Sequence, residues 1–397
     1  MNEAPAFNRL GIGWQIGVPS GWGTYGVNLS VELVRRGLTP ELFFRARSIN
    51  LMPDQLQALE GSLARQPEWF AAYQRGDVDL EFPMLHALGD RLDFPDMMNG
   101  IKGRPNVGVV FFESATIPQK NLAAAQNFAL IITGSSWNTA VLRDYGLANV
   151  RNCPQVIDPS VFAPIQKKDK KNNGFSGRFA VFSGGKLEYR KGQDIVVAAF
   201  KIFHQRHADA ILVSAWHNPW PEAAKGIGIS HHVSAVPSVD STGHLDVSRW
   251  LYDCGLPPGA FIDLGPMANV EMAKVLHEVD LAVFPNRCEG GTNLVAMESM
   301  ACGVPVILSA NTGHLDLIQP DNCYTLDLQI PIDEVTGRRD LEGWGESSID
   351  ELVTKMEAAY QDREDAARRG AAAGTYMIGW GWKDKVGRLI NAVSEFC

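Results

Sequence analysis

Residues 281–308 read LAVFPNRCEGGTNLVAMESMACGVPVIL, and this one stretch spells a strand, a glycine-containing loop, a helix and a second strand. Leu281 to Phe284 is a short, continuous apolar run, as expected of a parallel strand buried on both faces. The loop through Gly290 and Gly291 leads into a helix from about Asn293 to Ala301, and Pro305 to Leu308 forms the next strand. Backbone N–H groups at Gly291, Thr292 and Asn293 can then face an anion at a helix start. Glu298 lies within that helix, close enough to accept hydrogen bonds from ribose hydroxyls beside such an anion. A plain turn followed by a surface carboxylate fits the same local chemistry.

The pattern extends in both directions. Downstream of a polar stretch, strands are expected at Phe179 to Ser183, Ala210 to Ala215 and Ala260 to Leu264, with helices at Gly192 to His207 and Asn269 to Glu278. Upstream, strands are expected at Leu10 to Ile16, Glu41 to Arg45, Asn106 to Phe112 and Phe128 to Thr133. A helix from Thr24 to Arg36 stops at Gly37, and another, capped by Ser135 or Ser136, runs through Tyr145 to Gly146. Between the halves, Gln166 to Gly177 has almost nothing to bury and reads as a linker. Two Rossmann-like, doubly wound α/β domains follow, 1–170 and 171–375. Residues 376–397 form a terminal amphipathic helix through Val386, Leu389, Ile390 and Val393. Ligands of such sheets sit at the carboxyl ends of the strands, here expected in a cleft between the domains.

Composition sets the limits. The 397 residues are 45% hydrophobic and 20% charged, so the chain is globular and long enough for two or three domains. A net charge of -9, with a basic run only at Lys167 to Lys171, argues against nucleic acid as a partner. Six scattered cysteines without a CxxC pair suit reduced thiols and a cytoplasmic setting, with at most peripheral membrane contact. No secretion signal and no membrane-length apolar run is found.

A second loop, Gly184 to Gly192 (GGKLEYRKG), follows a strand and offers Lys186, Arg190 and Lys191 to phosphates, unless these are solvated surface charges. If both loops serve one site, they describe a diphosphate clamp with a ribose anchor. A third, Gly17 to Gly26 (GVPSGWGTYG), lacks the GxGxxG and P-loop spacings, although Gly21 and Gly23 can still open backbone donors to a ligand. Trp22 is either a cleft wall or a core aromatic. Glu113 follows the apolar strand GVVFF, where a carboxylate either orients an acceptor hydroxyl or caps the next helix; Asp158 reads as a turn residue. His231 and His232 have no carboxylate set nearby in sequence and His204 with His207 falls on an exposed helix, so no metal site is expected. Trp216, His217, Trp220 and His244 are weaker candidates for lining a sugar or base pocket. No GxSxG elbow is present, and Ser135 and Ser136 read as a helix cap.

Taken together, the two strongest loops resemble those of retaining, nucleotide-sugar-dependent glycosyltransferases of GT-B architecture, most closely family four, over nearly the whole chain. GGKLEYRKG resembles the family's G-R-L-x-x-x-K-G stretch, which places Lys186 and Lys191 on the donor diphosphate. EGGTNLVAMESMACGVPV resembles E-G-x-G-L-x-x-x-E-A-M-A-x-G-x-P-V, which makes Glu298 the ribose carboxylate and puts Gly290, Gly291, Thr292, Asn293 and Leu294 near the phosphates and sugar. The family has one residue fewer between its two glutamates than the eight between Glu289 and Glu298, so Gly290 takes the first carboxylate's place and Glu289 reaches the donor sugar from beside it. Lys186 keeps the charge of the usual arginine without its bidentate fork. Glu113 stands near the place of a strand-end histidine.

The resemblance implies sugar transfer from a nucleoside diphosphate sugar to a hydroxyl acceptor, a saccharide among the candidates, with retention at the anomeric carbon. Lys186, Lys191, Glu113 and Glu289 are its expected catalytic residues. It implies neither an organic cofactor nor a metal, and it places the chain in polysaccharide or cell-envelope synthesis. A nucleotide-sugar hydrolase or epimerase, or a noncatalytic binder of the same ligand, would use much of the same clamp.

Overall fold

The computed structural model describes residues 5–18, 20–48, 51–94, 100–165, 175 and 177–397. Most of the expected linker and the Lys167 to Lys171 run lie outside them. The chain divides into two units: Met1–Asp158 together with Trp380–Cys397, and Pro159–Gly379.

The first unit is built on six parallel strands: β1 (Arg9–Gly13), β2 (Thr39–Leu42), β3 (Met84–Ala87), β4 (Asn106–Val110), β5 (Leu130–Thr133) and β6 (Val150–Asn152). Their order is β2-β1-β3-β4-β5-β6, so the winding reverses between β1 and β3. Helices α1 (Gly21–Arg35), α2 (Pro53–Arg75), α3 (Gln119–Ala125) and α4 (Ser136–Asp144) connect them. Several expected bounds are corrected here. The first strand ends at Gly13 and not at Ile16, and the second covers Thr39–Leu42 and not Glu41 to Arg45. Helix α1 starts three residues earlier than Thr24, because Ser20 is extended and its hydroxyl accepts the Gly23 N–H at 3.3 Å. Gly21 and Gly23 therefore belong to the first helical turn. At α4 the cap is Ser135, whose hydroxyl accepts the Asn138 N–H at 3.1 Å.

The second unit repeats the theme with β7 (Phe179–Gly184), β8 (Ala210–Ala215), β9 (Phe261–Asp263), β10 (Leu281–Phe284), β11 (Val306–Ser309) and β12 (Tyr324–Leu326). All are parallel, in the order β9-β8-β7-β10-β11-β12, and the reversal falls between β7 and β10. Its longer helices are α5 (Gln193–Arg206), α6 (Val247–Asp253), α7 (Asn269–Leu276), α8 (Leu294–Ala301), α9 (Ile349–Gln361) and α10 (Arg363–Met377), and a separate antiparallel pair, Gln329–Pro331 with Gly345–Ser347, carries Glu346. Strands β7, β10 and β11 are buried along their whole length, which is why their sequences are continuously apolar.

The last helix, α11 (Trp382–Ser394), joins the first unit's core, where Trp382, Val386, Leu389, Ile390 and Val393 meet Leu29, Leu33 and Val156. No helix of the described residues is long and apolar enough to cross a membrane.

Candidate active site at the reversal of the second sheet

In an open parallel sheet, the loops leaving two neighbouring strands diverge where the winding reverses, and a ligand can enter between them. Here those loops are Gly185 to Gly192 after β7 and Pro285 to Asn293 after β10. They touch closely. Gly192 has φ 69°, and a Cβ there would stand 2.1 Å from the Pro285 carbonyl oxygen, so this approach needs glycine. The Arg287 N–H donates to the Arg190 carbonyl at 2.7 Å.

Beneath the loops lies Arg287, fully buried. Its Nη1 donates to Tyr189 O at 2.6 Å and Asp194 Oδ1 at 2.8 Å, its Nη2 to Asp194 Oδ2 at 2.6 Å, and its Nε to Glu346. Burial disfavours the guanidinium charge, but the two carboxylates outweigh it and hold Arg287 protonated far above neutrality. Breaking such a set from one side leaves an uncompensated buried charge.

Above this base, Lys191 and Arg190 meet Glu289. Lys191 Nζ and Asn286 Nδ2 both donate to Glu289 Oε1, and Arg190 Nη1 lies 3.4 Å from Oε2. Burial would raise the Glu289 carboxyl, yet Lys191 and Arg190 bring it down to about 2, so it is ionised. Glu188 holds the outer cations, with Lys186 Nζ at 2.8 Å and Arg190 Nε at 2.8 Å. Burial acts against its charge as well, and the same cations keep its carboxyl below the usual range. Lys186 is the most open of the three, with 31% of its side chain exposed against 14% for Arg190 and 10% for Lys191, and it approaches the Trp220 ring at 5.2 Å. The structure thus gathers Lys186, Arg190, Lys191 and Glu289 into one cluster, and Trp220, 56% exposed, joins its edge.

Gly290, Gly291, Thr292 and Asn293 form the buried run into α8, and Leu294 is its first residue. Asn293 is the helix cap, in left-handed conformation at φ 60°, a geometry asparagine tolerates better than most residues. Glu298 is not a helix-surface carboxylate. It is buried, accepts a hydrogen bond from Asn269 Nδ2 at 2.9 Å, and is pushed up to about 7 by burial, against that bond.

The other expected residues lie elsewhere. Gly21, Gly23 and Glu113 belong to the first unit, at the carboxyl ends of β1 and β4. A Cβ at Gly23 would fall 2.0 Å from the Val18 carbonyl oxygen, so this glycine is required by the turn itself. Asp90 Oδ1 accepts the N–H groups of Glu113, at 2.5 Å, and Ser114, at 3.0 Å. Trp22 is half-buried and packs edge-on against Phe111 at 4.7 Å, next to Trp14 and Tyr25.

Trp216 does not line a pocket: it is fully buried and donates to Ser183 Oγ at 3.2 Å. His204 and His207 are likewise not on an open face, since His207 is 2.7 Å from Glu357 and His204 stacks on Phe200. A further correction concerns His231 and His232. Tertiary folding brings Glu346 to them, with ligand-type atoms all within 4.8 Å, although that carboxylate already accepts from Arg287.

Sequence reading missed Arg287, Asp194 and Glu346 as a unit, as well as Asn269 and Asn286. Asp194 opens a helix just after the basic loop, and that position was the one available signal. Glu346 lies 59 residues from Arg287, with nothing local to connect them.

Two nucleotide-binding-type sheets, with a basic loop and an acidic loop meeting at the reversal of the second, define the GT-B class of fold. Comparison with solved structures agrees. Sucrose-phosphate synthase from Thermosynechococcus elongatus superposes with a TM-score of 0.65 at 15% identity, over 96% of this chain and 97% of that one. Anabaena Alr3699/HepE in complex with UDP-glucose gives 0.63 at 15% identity, over 96% and 98%.

Residues 253–332 match the family model of glycosyl transferases group 1. In sequence, the chain is 23% identical over 261 residues to a GDP-mannose-dependent alpha-(1-6)-phosphatidylinositol monomannoside mannosyltransferase of Mycolicibacterium smegmatis, covering 62% of this chain and 56% of that protein. It is 25% identical over 273 residues to a D-inositol 3-phosphate glycosyltransferase of Stackebrandtia nassauensis, covering 67% and 54%. The chain therefore spans little more than half the length of these relatives. It has the GT-B fold, and a segment of its second unit matches the group 1 glycosyl transferase model.

Proposed function

We propose that this chain transfers a sugar from a nucleoside diphosphate sugar to a hydroxyl acceptor, with retention at the anomeric carbon. The observation that carries this reading is the convergence, at one sheet reversal, of three cations on the β7 loop with the Glu289 loop and the start of α8. A donor diphosphate would share Lys191, Arg190 and Lys186 with the carboxylates that hold them, Glu289 and Glu188. Fixed cations and backbone dipoles in a largely buried site stabilise the charge that grows on the leaving diphosphate as the glycosidic bond breaks. The departing phosphate oxygen then takes the acceptor's proton on the same face, which gives retention without an enzyme nucleophile. Glu298, poised near neutrality, accepts from and donates to ribose hydroxyls. Glu289 positions Lys191 and reaches the donor sugar, while Glu113 orients the acceptor. The relatives' names and the bound UDP-glucose of the Anabaena structure support a nucleotide-sugar donor and an acceptor of saccharide or polyol type.

Titration calorimetry of the protein against UDP-, GDP- and ADP-sugars, with and without magnesium, tests the donor site. Saturable binding of one nucleotide class is expected, weakened about tenfold or more by Lys191→Ala, the scale of a lost charge-assisted hydrogen bond. Wild-type affinity in Lys191→Ala would remove the phosphate assignment. Turnover of donor without any acceptor would instead indicate a hydrolase.

A further inference from the structure

Below the Glu289 to Asn293 loop runs the turn Asn311 to His314, which no motif singled out. Its contacts with the loop are largely to backbone. Thr312 Oγ1 accepts the Glu289 N–H at 2.9 Å, and the Gly313 N–H donates to the Glu289 carbonyl at 3.0 Å. A Cβ on Gly313 would lie 1.6 Å from the Gly291 carbonyl oxygen, so the two backbones touch. Thr312 adopts φ 41°, a strained conformation for a β-branched residue, and strain of this kind persists only where surrounding contacts fix it.

His314 extends the contact to the helix cap. Ser309 Oγ donates to the Asn286 carbonyl at 2.7 Å, so it accepts from His314 Nδ1–H at 3.0 Å. The other ring nitrogen, Nε2, is then unprotonated and accepts from Asn293 Nδ2 at 3.0 Å. Ser309 and His314 are fully buried, and Asn293 is 4% exposed. Burial also lowers His314 to about 4, consistent with a neutral ring of one tautomer at physiological pH. The bonds run in one direction, from Asn293 through His314 to Ser309 and on to the Asn286 carbonyl.

We propose that the Asn311–His314 turn is the template on which the Glu289–Asn293 loop is set, with His314 a positioning residue that orients Asn293 and so the start of the helix bearing Glu298. Its consequence for donor binding rests on the function proposed above; the positioning itself does not.

Two near-isosteric variants separate orientation from packing. In H314Q the side-chain amide oxygen can replace Nε2 as acceptor for Asn293, whereas H314N keeps the contact to Ser309 and leaves Asn293 without its acceptor. Deuterium exchange of the segment 289–297 is expected to be about tenfold faster in H314N, the value of one neutral hydrogen bond, and close to wild type in H314Q. Donor affinity should follow the same order. Asn293→Gly, which retains the backbone conformation but deletes both this bond and the cap to the Ala296 N–H, should loosen the loop at least as much as H314N, and adding H314N to it should loosen the loop no further.

Equal exchange in H314N and H314Q, or wild-type exchange in Asn293→Gly, overturns the proposal. If wild-type protein binds no UDP-, GDP- or ADP-sugar, the donor reading fails, and the exchange measurement still decides the positioning.

Discussion

Glu298 carries its own pH signature. Its carboxyl, ordinarily near 4.5, is raised to about 7 by burial, so between those values the folded protein keeps a proton that the unfolded chain releases. Stability from this group is complete below pH 4.5 and is lost as pH rises through 7, up to about 3 kcal/mol at ~1.4 kcal/mol per pH unit. In donor-free protein, E298Q should remove that dependence and melt higher than wild type at pH 8, with the two converging near pH 4.5; parallel melting curves across the range would contradict this. Arg287 makes the opposite kind of prediction. Asp194→Ala should cost about 3–5 kcal/mol in urea unfolding, because it strands half of a fully buried guanidinium. That Lys191 and Glu298 follow neighbouring strands of the second sheet is legible in the sequence, because each comes after a continuous apolar run and a glycine-containing loop. Glu346 and His314 are not, because their partners Arg287 and Asn293 lie 59 and 21 residues away and only the sheet brings them together.

Strands such as Ala210–Ala215 and Leu281–Phe284 can be read to the residue, since an apolar run bounded by polar turns leaves little choice of register. Helix α2 escapes the same reading. Gly61 and Pro67 punctuate its 23 residues, only Leu59, Ser62 and Gln66 are buried, and its apolar face is too interrupted to show a helical period. The start of α1 is hidden in the sequence because a glycine-rich turn and a glycine-rich first helical turn look alike, and only the cap at Ser20 tells them apart. Helix α10 shows what small residues do at this scale. A Cβ on Gly370 would stand 2.3 Å from the Gly303 carbonyl oxygen, so α10 rests directly on the backbone that follows α8. Gly370→Val should therefore lower stability by about 1–3 kcal/mol or more in urea, and should loosen the α8 end of the site. An unchanged unfolding midpoint would mean that the helices separate at no cost.

Across the whole molecule, the chain leaves the first unit at Asp158 and returns at Trp380. The amphipathic period of the terminal segment is visible in sequence, but the core it enters is not, because periodicity shows a face and not its partner. Deletion of 380–397 removes the buried side chains of Trp382, Val386, Leu389, Ile390 and Val393, each worth about 1.5–3 kcal/mol. That total rivals the net stability of a typical domain. Limited proteolysis of the truncated chain should digest the first unit and spare Pro159–Gly379; equal resistance of both units would refute this. The same return sets a timetable for synthesis on the ribosome. A nascent sheet of six strands emerges with the binding face for α11 bare, and about 220 further residues must be translated before the segment that covers it appears. At about 5–20 residues per second, the wait is on the order of 10 to 40 s. Through that interval the half made first is the half still unfinished, and the later half can close before it.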